Sequence, residues 1–159
     1  MKKQTDKTNV MRLLDQMKLS YRSFFYEDSR ALRAPEVAAL LAQDEKRVFK
    51  TLVTVAASGA HYVFLVPAFG ELNLKKAAKA VGEKSIAMLP ARELLPLTGY
   101  IHGGCSPLGM KKLFPTVIDA SAQEYETIFF SAGRIGCQVE ISLAELKKAL
   151  NFTLCDILA

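Results

Sequence analysis

Two strand-like segments separated by a tight turn constrain this fold more than any other feature. Residues 48–55 (VFKTLVTV) and 61–66 (HYVFLV) are rich in β-branched and aromatic side chains, and Ser58-Gly59 lies between them. This pattern predicts an antiparallel hairpin. Because a doubly wound fold alternates single strands with helices, the hairpin favours an α+β fold with a curved mixed sheet.

The rest of the chain alternates helical and strand-like segments with no linker, repeat or low-complexity tract. We therefore expect one domain over residues 1–159. Caps, prolines and Ser-x-x-Glu capping boxes predict helices that begin near Thr8, Pro35, Asn73, Pro90, Ser121 and Ser142. Further strands are predicted at 21–26, 85–89, 127–131, 137–141 and 152–158, with 127–131 paired to 137–141.

Composition excludes several classes of protein. Half of the 159 residues are hydrophobic, yet no apolar run approaches the roughly 20 residues of a membrane span and no apolar signal region follows the N-terminus, so we expect a cytoplasmic protein without membrane contact. Three scattered cysteines and two histidines argue against a disulfide scaffold or a metal site. No phosphate-binding loop or dinucleotide fingerprint is present, so no cofactor is expected. The net charge of +5 is compatible with nucleic-acid binding.

Lys50 stands out because it interrupts the first strand of the predicted hairpin. A lysine is almost never fully buried without a partner. Its ammonium either reaches water at the strand end or faces a cleft in which an anionic ligand compensates the charge. The strand alone does not decide between these alternatives.

Two glycine-rich segments offer backbone groups to a ligand. Gly103-Gly104, followed by Ser106-Pro107, allows close approach of the main chain and suits an oxyanion or a phosphate. Residues 131–136 (SAGRIG) combine a hydroxyl, backbone N–H groups and a guanidinium in one turn. Taken alone, Gly-Gly is more often just a turn, and the alternative for residues 131–136 is a hairpin loop.

Taken together, these segments resemble the YbaK family of aminoacyl-tRNA editing proteins, which are similar to the editing domain of bacterial prolyl-tRNA synthetases. The resemblance spans nearly the whole chain. It rests on residues 47–52 (RVFKTL), 72–79 (LNLKKAAK), 98–100 (TGY), 103–109 (GGCSPLG) and 126–128 (ETI), with Ser131 and Gly133. It implies a barrel-like mixed sheet with helices packed outside and a cleft at one end.

The resemblance also implies an activity and a set of site residues. Family members hydrolyse the ester between a wrong amino acid and the terminal ribose of tRNA, and the free-standing bacterial type is similar to a Cys-tRNA(Pro) deacylase. The catalytic positions carried over are Lys50, Gly103, Gly104 and Ser131. The substrate-binding positions are Tyr26, Thr51, Ser106, Gly133 and Arg33, which stands where relatives can carry an aromatic residue.

The chemistry expected from this resemblance needs no protein nucleophile. The thiol of a misattached cysteine can attack its own carbonyl carbon, since intramolecular geometry supplies a large effective molarity. Backbone N–H groups of Gly103 and Gly104, with Ser131 opposite, would stabilise the oxyanion. Lys50 would hold the terminal ribose or phosphate.

Partners and rival functions follow from the same residues. The acceptor end of tRNA(Pro) is expected to lie along basic side chains, and prolyl-tRNA synthetase is the expected protein partner. The basic positions are Lys75, Lys76, Lys79, Lys111, Lys112 and Arg134. The alternatives are a deacylase for another ester such as Ala-tRNA(Pro), a non-catalytic tRNA-binding module, and a cysteine hydrolase with Cys105 as nucleophile and His102 as base.

Overall fold

The computed structural model describes residues 6–26 and 33–159. Its helices are α1 (Asn9–Gln16), α2 (Ala34–Leu40), α3 (Leu74–Val81), α4 (Ala91–Thr98) and α5 (Leu143–Ala149), with a 3₁₀ turn at Ala120–Glu124. Its strands are β1 (Arg22–Phe25), β2 (Phe49–Ala56), β3 (His61–Pro67), β4 (Ile86–Met88), β5 (Thr116–Asp119), β6 (Ile128–Ser131), β7 (Cys137–Ile141) and β8 (Phe152–Cys155). None of the helices in this described part of the chain combines the length and the apolar character needed to cross a bilayer.

The strands form two sheets, which confirms the α+β class but not the barrel. Five strands lie in the order β4-β2-β3-β5-β8 and three in the order β1-β7-β6. The larger sheet is mixed, because β3–β5 and β5–β8 are parallel and its other pairs antiparallel. An isolated bridge between Val48 and Phe129 connects the sheets at β2 and β6. Neither sheet closes on itself within the described residues, so the barrel-like prediction is wrong. Closure depends on pairing between distant strands, which local alternation does not encode.

Most local predictions are confirmed. β2 and β3 form the expected hairpin, and β6 pairs with β7. The side chains of Thr8, Asn73 and Ser142 cap their helices. The capping box at Ser121 is wrong, because Asp119 accepts the backbone N–H of Ser121 and caps a 3₁₀ turn instead. Strand β5 was not predicted.

The two faces of β2 bury their side chains in different cores. Phe49 and Val53 belong to the larger core, which includes α1 and the inner faces of β6 and β7. Ala56, on the opposite face, packs with Phe64 of β3 in the smaller core, which α3 covers through Ala77 and Ala78. Since alternate side chains of a strand point to opposite faces, β2 contributes to both cores. Its residues 50–52 are only partly buried.

Candidate active site

A pocket opens where β2 loses its second neighbouring strand. β4 pairs only with Thr54–Ala56, and one further bond joins the Leu89 N–H to the Val53 carbonyl oxygen. Between Val53 and the Val48–Phe129 bridge, that edge of β2 has no strand beside it in the described part of the chain. The cavity there measures about 600 Å³, a size typical of small-molecule sites. Its walls come from β2, the start of α2, residues after β3, α4, the loop at 102–105, β6 and β7.

Lys50 lies at the mouth of this pocket. Its side chain is 23% exposed, and its Nζ is 3.5 Å from Oε1 of Glu71, whose own side chain is 83% exposed. A long ion pair with so exposed a partner is weak. Lys50 therefore lines the pocket with its ammonium held only by a weak partner.

Arg47 fixes the start of β2 against the smaller sheet. Its guanidinium donates to Oγ1 of Thr127 at 2.6 Å and lies 3.3 Å from Oε2 of Glu140. Thr127 in turn donates to the same Glu140 carboxylate at 2.5 Å. This network ties β2 to β6 and β7, so Lys50 and the pocket wall on β7 keep a defined separation.

The two adjacent glycines have different surroundings. Gly103 lines the pocket and has a φ of +89°, a conformation that residues with a side chain rarely adopt. Gly104 is buried, and its N–H donates to the Ile101 carbonyl oxygen at 3.0 Å. A Cβ on Gly104 would lie 3.2 Å from the backbone nitrogen of Ile135. Gly103 therefore lies at the pocket wall, whereas Gly104 lets the loop pack against the β6–β7 turn.

Ser131 also lines the pocket and is 8% exposed. Its Oγ accepts the backbone N–H of Gly133 at 3.1 Å. Because that oxygen acts as an acceptor, the hydroxyl hydrogen remains available to donate to a ligand. Ser131 and Gly103 thus both contribute to the lining of the cavity.

Two other predicted substrate-binding residues support the loop and are not among the described pocket-lining residues. Ser106 is fully buried, and its Oγ accepts the Leu108 N–H at 3.3 Å. Gly133 packs on Tyr100, since an added Cβ would lie 3.0 Å from that ring. The Tyr100 hydroxyl donates to the Leu108 carbonyl oxygen at 2.5 Å, and burial raises the pKa of Tyr100 to about 12. These contacts hold the glycine loop in place.

Cys105 and His102 both line the pocket. Cys105 belongs to the larger core and is 9% exposed, and burial raises the pKa of its thiol to about 12. A thiol with so high a pKa is protonated at neutral pH, and the thiolate is the nucleophilic form. Burial of the thiol therefore argues against a cysteine hydrolase built on Cys105.

Arg33 lines the pocket, whereas Tyr26 is buried beside the β6–β7 turn. The Arg33 side chain is 82% exposed, lines the pocket and contacts Glu36 at 3.3 Å. Tyr26 is 8% exposed, and its backbone N–H donates to the Gly136 carbonyl oxygen at 2.9 Å. It is not among the described residues that line the cavity.

Thr51, by contrast, lines the pocket beside Lys50, as predicted. Sequence reasoning missed Phe69 at the rim and Gln138 inside. Gln138 is one of two polar positions, with Glu140, in a strand that alternates apolar and polar residues, which is the pattern of an ordinary surface-facing position.

The basic residues predicted to bind tRNA lie outside the described pocket lining and differ in their partners. Lys76 binds the Asp156 carboxylate and the Leu158 carbonyl oxygen, each at 2.9 Å. Arg134 donates to the Asp6 carbonyl oxygen at 2.6 Å, and Lys111 reaches the Pro96 carbonyl oxygen at 3.5 Å. The remaining positions are exposed on the surface: Lys75, Lys79 and Lys112.

The chain is similar to known proteins over most of its length. The family model of the aminoacyl-tRNA editing domain matches residues 29–149. A protein of Enterococcus faecalis, EbsC, named as a proposed Cys-tRNA(Pro)/Cys-tRNA(Cys) deacylase, is 43% identical over 98% of this chain and 96% of its own length.

Solved structures share the fold. The crystal structure of a hypothetical protein has a TM-score of 0.85 and 25% identity, covering 94% of this chain and 99% of that one. A protein named as a proposed trans-editing enzyme for prolyl-tRNA synthetase has a TM-score of 0.79 and 22% identity, covering 97% and 99%. The family match over most of the chain, with the close relative, shows that this protein belongs to the aminoacyl-tRNA editing domain family.

Proposed function

We propose that this protein is a trans-editing deacylase that hydrolyses mischarged aminoacyl-tRNA, with Cys-tRNA(Pro) as its main substrate. The observation that carries this proposal is one apolar pocket with Lys50 at its mouth and Gly103 and Ser131 on its walls. Family membership supplies the reaction class. The name of the Enterococcus relative supports cysteine as the amino acid.

In this proposal the substrate supplies its own nucleophile. The cysteine sulfur bonds to the ester carbonyl carbon, and the bond from that carbon to the ribose oxygen breaks. The ribose hydroxyl leaves with a proton, and the resulting thiolactone is opened by water. The protein orients the ester and stabilises the oxyanion, for which the Gly103 backbone and the Ser131 hydroxyl are suited by position. Gly104 contributes by shaping the loop, because its N–H is bonded to Ile101.

Lys50 supplies positive charge to the ribose and phosphate end of the substrate. Its weak pairing with exposed Glu71 means that a phosphate can replace the carboxylate at small cost. Thr51 and Arg33 extend the binding surface on either side of the ammonium. No metal or cofactor takes part in the proposed reaction.

The tRNA body lies along the exposed lysines in this proposal. Lys75, Lys79 and Lys112 are exposed and suit phosphate contacts, and Lys76, Lys111 and Arg134 would join them after exchanging their internal partners. We further propose that the protein works in the cytoplasm and docks transiently on prolyl-tRNA synthetase, which produces the mischarged tRNA.

The deciding experiment compares three esters of the same tRNA. We expect the purified protein to clear Cys-tRNA(Pro) in single turnover at least about tenfold faster than Ser-tRNA(Pro), because a hydroxyl is scarcely ionised near neutral pH, and to leave Ala-tRNA(Pro) almost intact. Rapid clearance of the alanyl ester would contradict thiol assistance and indicate an alanine editor with an attacking water. Binding of tRNA without turnover of any ester would overturn the deacylase and leave a binding module.

A further inference from the structure

Two large apolar side chains line the pocket although they are largely exposed to solvent. Phe69 is 48% exposed and Met88 is 45% exposed. Within residues 6–26 and 33–159, the Phe69 ring packs on no other aromatic ring and lies over no cationic group. Exposed apolar surface beside a pocket is typical of a site that a ligand covers. The question is which of the two residues a ligand would reach, and with what chemistry.

A tight turn fixes the position of Phe69. The Gly70 N–H donates to the Pro67 carbonyl oxygen at 3.0 Å, so Ala68 and Phe69 form the tip of a β-turn after β3. Ala68 is 3% exposed and packs in a small core, whereas Phe69 stays at the surface. A Cβ on Gly70 would lie 2.8 Å from Cδ2 of Leu158, so the turn packs closely on that side chain. The aromatic ring is therefore carried by a turn that the fold supports.

The same turn lies beside Lys50. Just before Phe69 in the chain, the Ala68 N–H donates to the Val48 carbonyl oxygen at 2.7 Å. Two residues after Phe69, the Glu71 carboxylate lies 3.5 Å from Nζ of Lys50. Consecutive Cα atoms are only 3.8 Å apart, so these two contacts hold Phe69 close to the start of β2. Phe69 and Lys50 thus line the same end of the pocket.

Met88 lies toward the other end of this edge of β2. It pairs with Thr54, which is four residues along the strand from Lys50. At the rise of an extended strand, that separation is about 13 Å. A ligand group that is bound next to Lys50 therefore meets Phe69 and not Met88.

The proposed substrate carries a group that suits an exposed aromatic ring. In an aminoacyl-tRNA, the ester is attached to the terminal ribose, and the adenine base is attached to the same sugar ring. With Lys50 on the ribose or its phosphate, the base lies no more than the width of that sugar away from it. Unstacked bases at the ends of single-stranded RNA are bound by stacking on aromatic side chains. The terminal adenine therefore matches Phe69 in both position and chemistry.

We infer that Phe69 is the stacking platform for the terminal adenine of the tRNA substrate and helps to position the ester at the pocket. This inference rests on the proposed function, because it takes the ligand to be an aminoacyl-tRNA. Stacking on an aromatic ring is tolerant of sequence, so Phe69 adds affinity for a terminal nucleoside and does not select among tRNAs. Simple amino-acid esters, which have no base, gain nothing from it.

The test measures binding without hydrolysis. One probe is 3′-deoxy-3′-(L-cysteinylamino)adenosine, whose amide resists cleavage, and the other is its abasic counterpart, in which hydrogen replaces adenine at C1′. Calorimetry with the full chain should show that the wild type prefers the adenosine probe by about tenfold or more, as expected for one base on one aromatic ring. Phe69→Leu should reduce that preference to within roughly threefold. Phe69→Tyr should keep it, because the aromatic face is retained.

Leu113→Ala is the matched control for the loss of an exposed apolar side chain. Leu113 is 95% exposed and is not among the described residues that line the pocket, so this variant should keep the wild-type preference. Equal binding of both probes by the wild type, no binding of either, an unchanged preference in Phe69→Leu, or its loss in Phe69→Tyr or Leu113→Ala would overturn the platform. The expected pattern in a protein that fails to hydrolyse Cys-tRNA(Pro) would keep the platform and overturn the function. Hydrolysis without the preference would do the reverse.

Discussion

The two halves of β2 have the same kind of sequence but different surroundings. Thr54–Ala56 lies between β3 and β4, and the Thr54 hydroxyl donates to the Tyr62 carbonyl oxygen at 2.9 Å. In the other half, Lys50 reaches only an exposed carboxylate, and Oγ1 of Thr51 has no partner in the described part of the chain. Among the described residues, polar groups of β2 are bonded within the protein where the sheet continues and have a weak partner or none where it stops.

A proline accounts for the point at which the sheet stops. β4 ends at Met88, and Leu89 makes the last bond to β2. Pro90 has no N–H to donate to a strand, and it serves as the N-cap of α4. The chain therefore turns away from β2 and forms the opposite pocket wall. We call Thr54–Ala56, which has a strand on each side, the closed half of β2, and residues 49–53 the open half.

Replacing Lys50 should have the largest effect. Lys50→Ala should lower single-turnover deacylation of Cys-tRNA(Pro) by roughly a hundredfold or more, since it removes the charge facing the substrate. Thermal unfolding should change little, because the ammonium has only a weak partner. Lys84→Ala, at an exposed position, is the control and should retain activity. Normal turnover by Lys50→Ala would remove the open half from the mechanism.

The loop that faces the open half should be nearly as sensitive. Gly103→Ala forces a side chain into a φ of +89° at the pocket wall, and we expect a loss of roughly ten- to a hundredfold in turnover. Cys105→Ala should stay within about threefold of wild type, because its thiol is not the nucleophile in this mechanism.

The pH dependence of Cys105 provides a second check. Burial raises the pKa of this thiol to about 12, so it stays protonated as pH rises through 9. Alkylation of native protein by iodoacetamide should therefore miss Cys105, as read by mass spectrometry. Equal loss of activity in Gly103→Ala and Cys105→Ala, with alkylation of Cys105 at pH 8, would instead support the cysteine hydrolase.

The same substitution in each half of β2 should shift stability in opposite directions. Thr54→Val removes a hydroxyl that is bonded to Tyr62 and should lower the free energy of unfolding by ~1 kcal/mol. Thr51→Val removes a buried hydroxyl without a partner and should raise it by ~0.5–1 kcal/mol. Urea unfolding of the two variants decides this. Destabilisation of similar size in both would show that the open half is satisfied in the free protein.

Surface charges away from the pocket should have the smallest effect. The double variant Lys75→Gln, Lys79→Gln should flatten the plot of log binding constant for tRNA against log salt concentration. The slope should fall by about one unit for each phosphate contact that is lost. The preference among amino acids should not change. Lys76→Gln should change the slope less, because Lys76 already binds Asp156. Filter binding over a salt series measures this, and an unchanged slope in the double variant would assign these lysines to an ordinary solvated surface.

Sequence reasoning predicted elements where a local signal was strong. Asn73 and Gly82 bracket α3 because a cap and a left-handed glycine end are local chemistry, and Ser58-Gly59 predicted the β2–β3 hairpin for the same reason. Failures came from long-range pairing. Strand β5 is parallel to β3 and β8, and parallel neighbours are not joined by a short turn that the sequence could reveal. Whether each sheet stays open depends on which distant strands pair.

The features of the candidate site also separate into those that the sequence predicted and those that only the structure showed. The sequence by itself determined the residue types and the family pattern: a lysine within an apolar strand, paired glycines, and a serine before a glycine turn. Only the tertiary structure decided that Gly103 faces the pocket while Gly104 supports the loop, and that Gln138 joins Thr51 on its walls. The physical reason is that burial and hydrogen-bond partners are properties of neighbours in space. Those neighbours come from segments far apart in the chain.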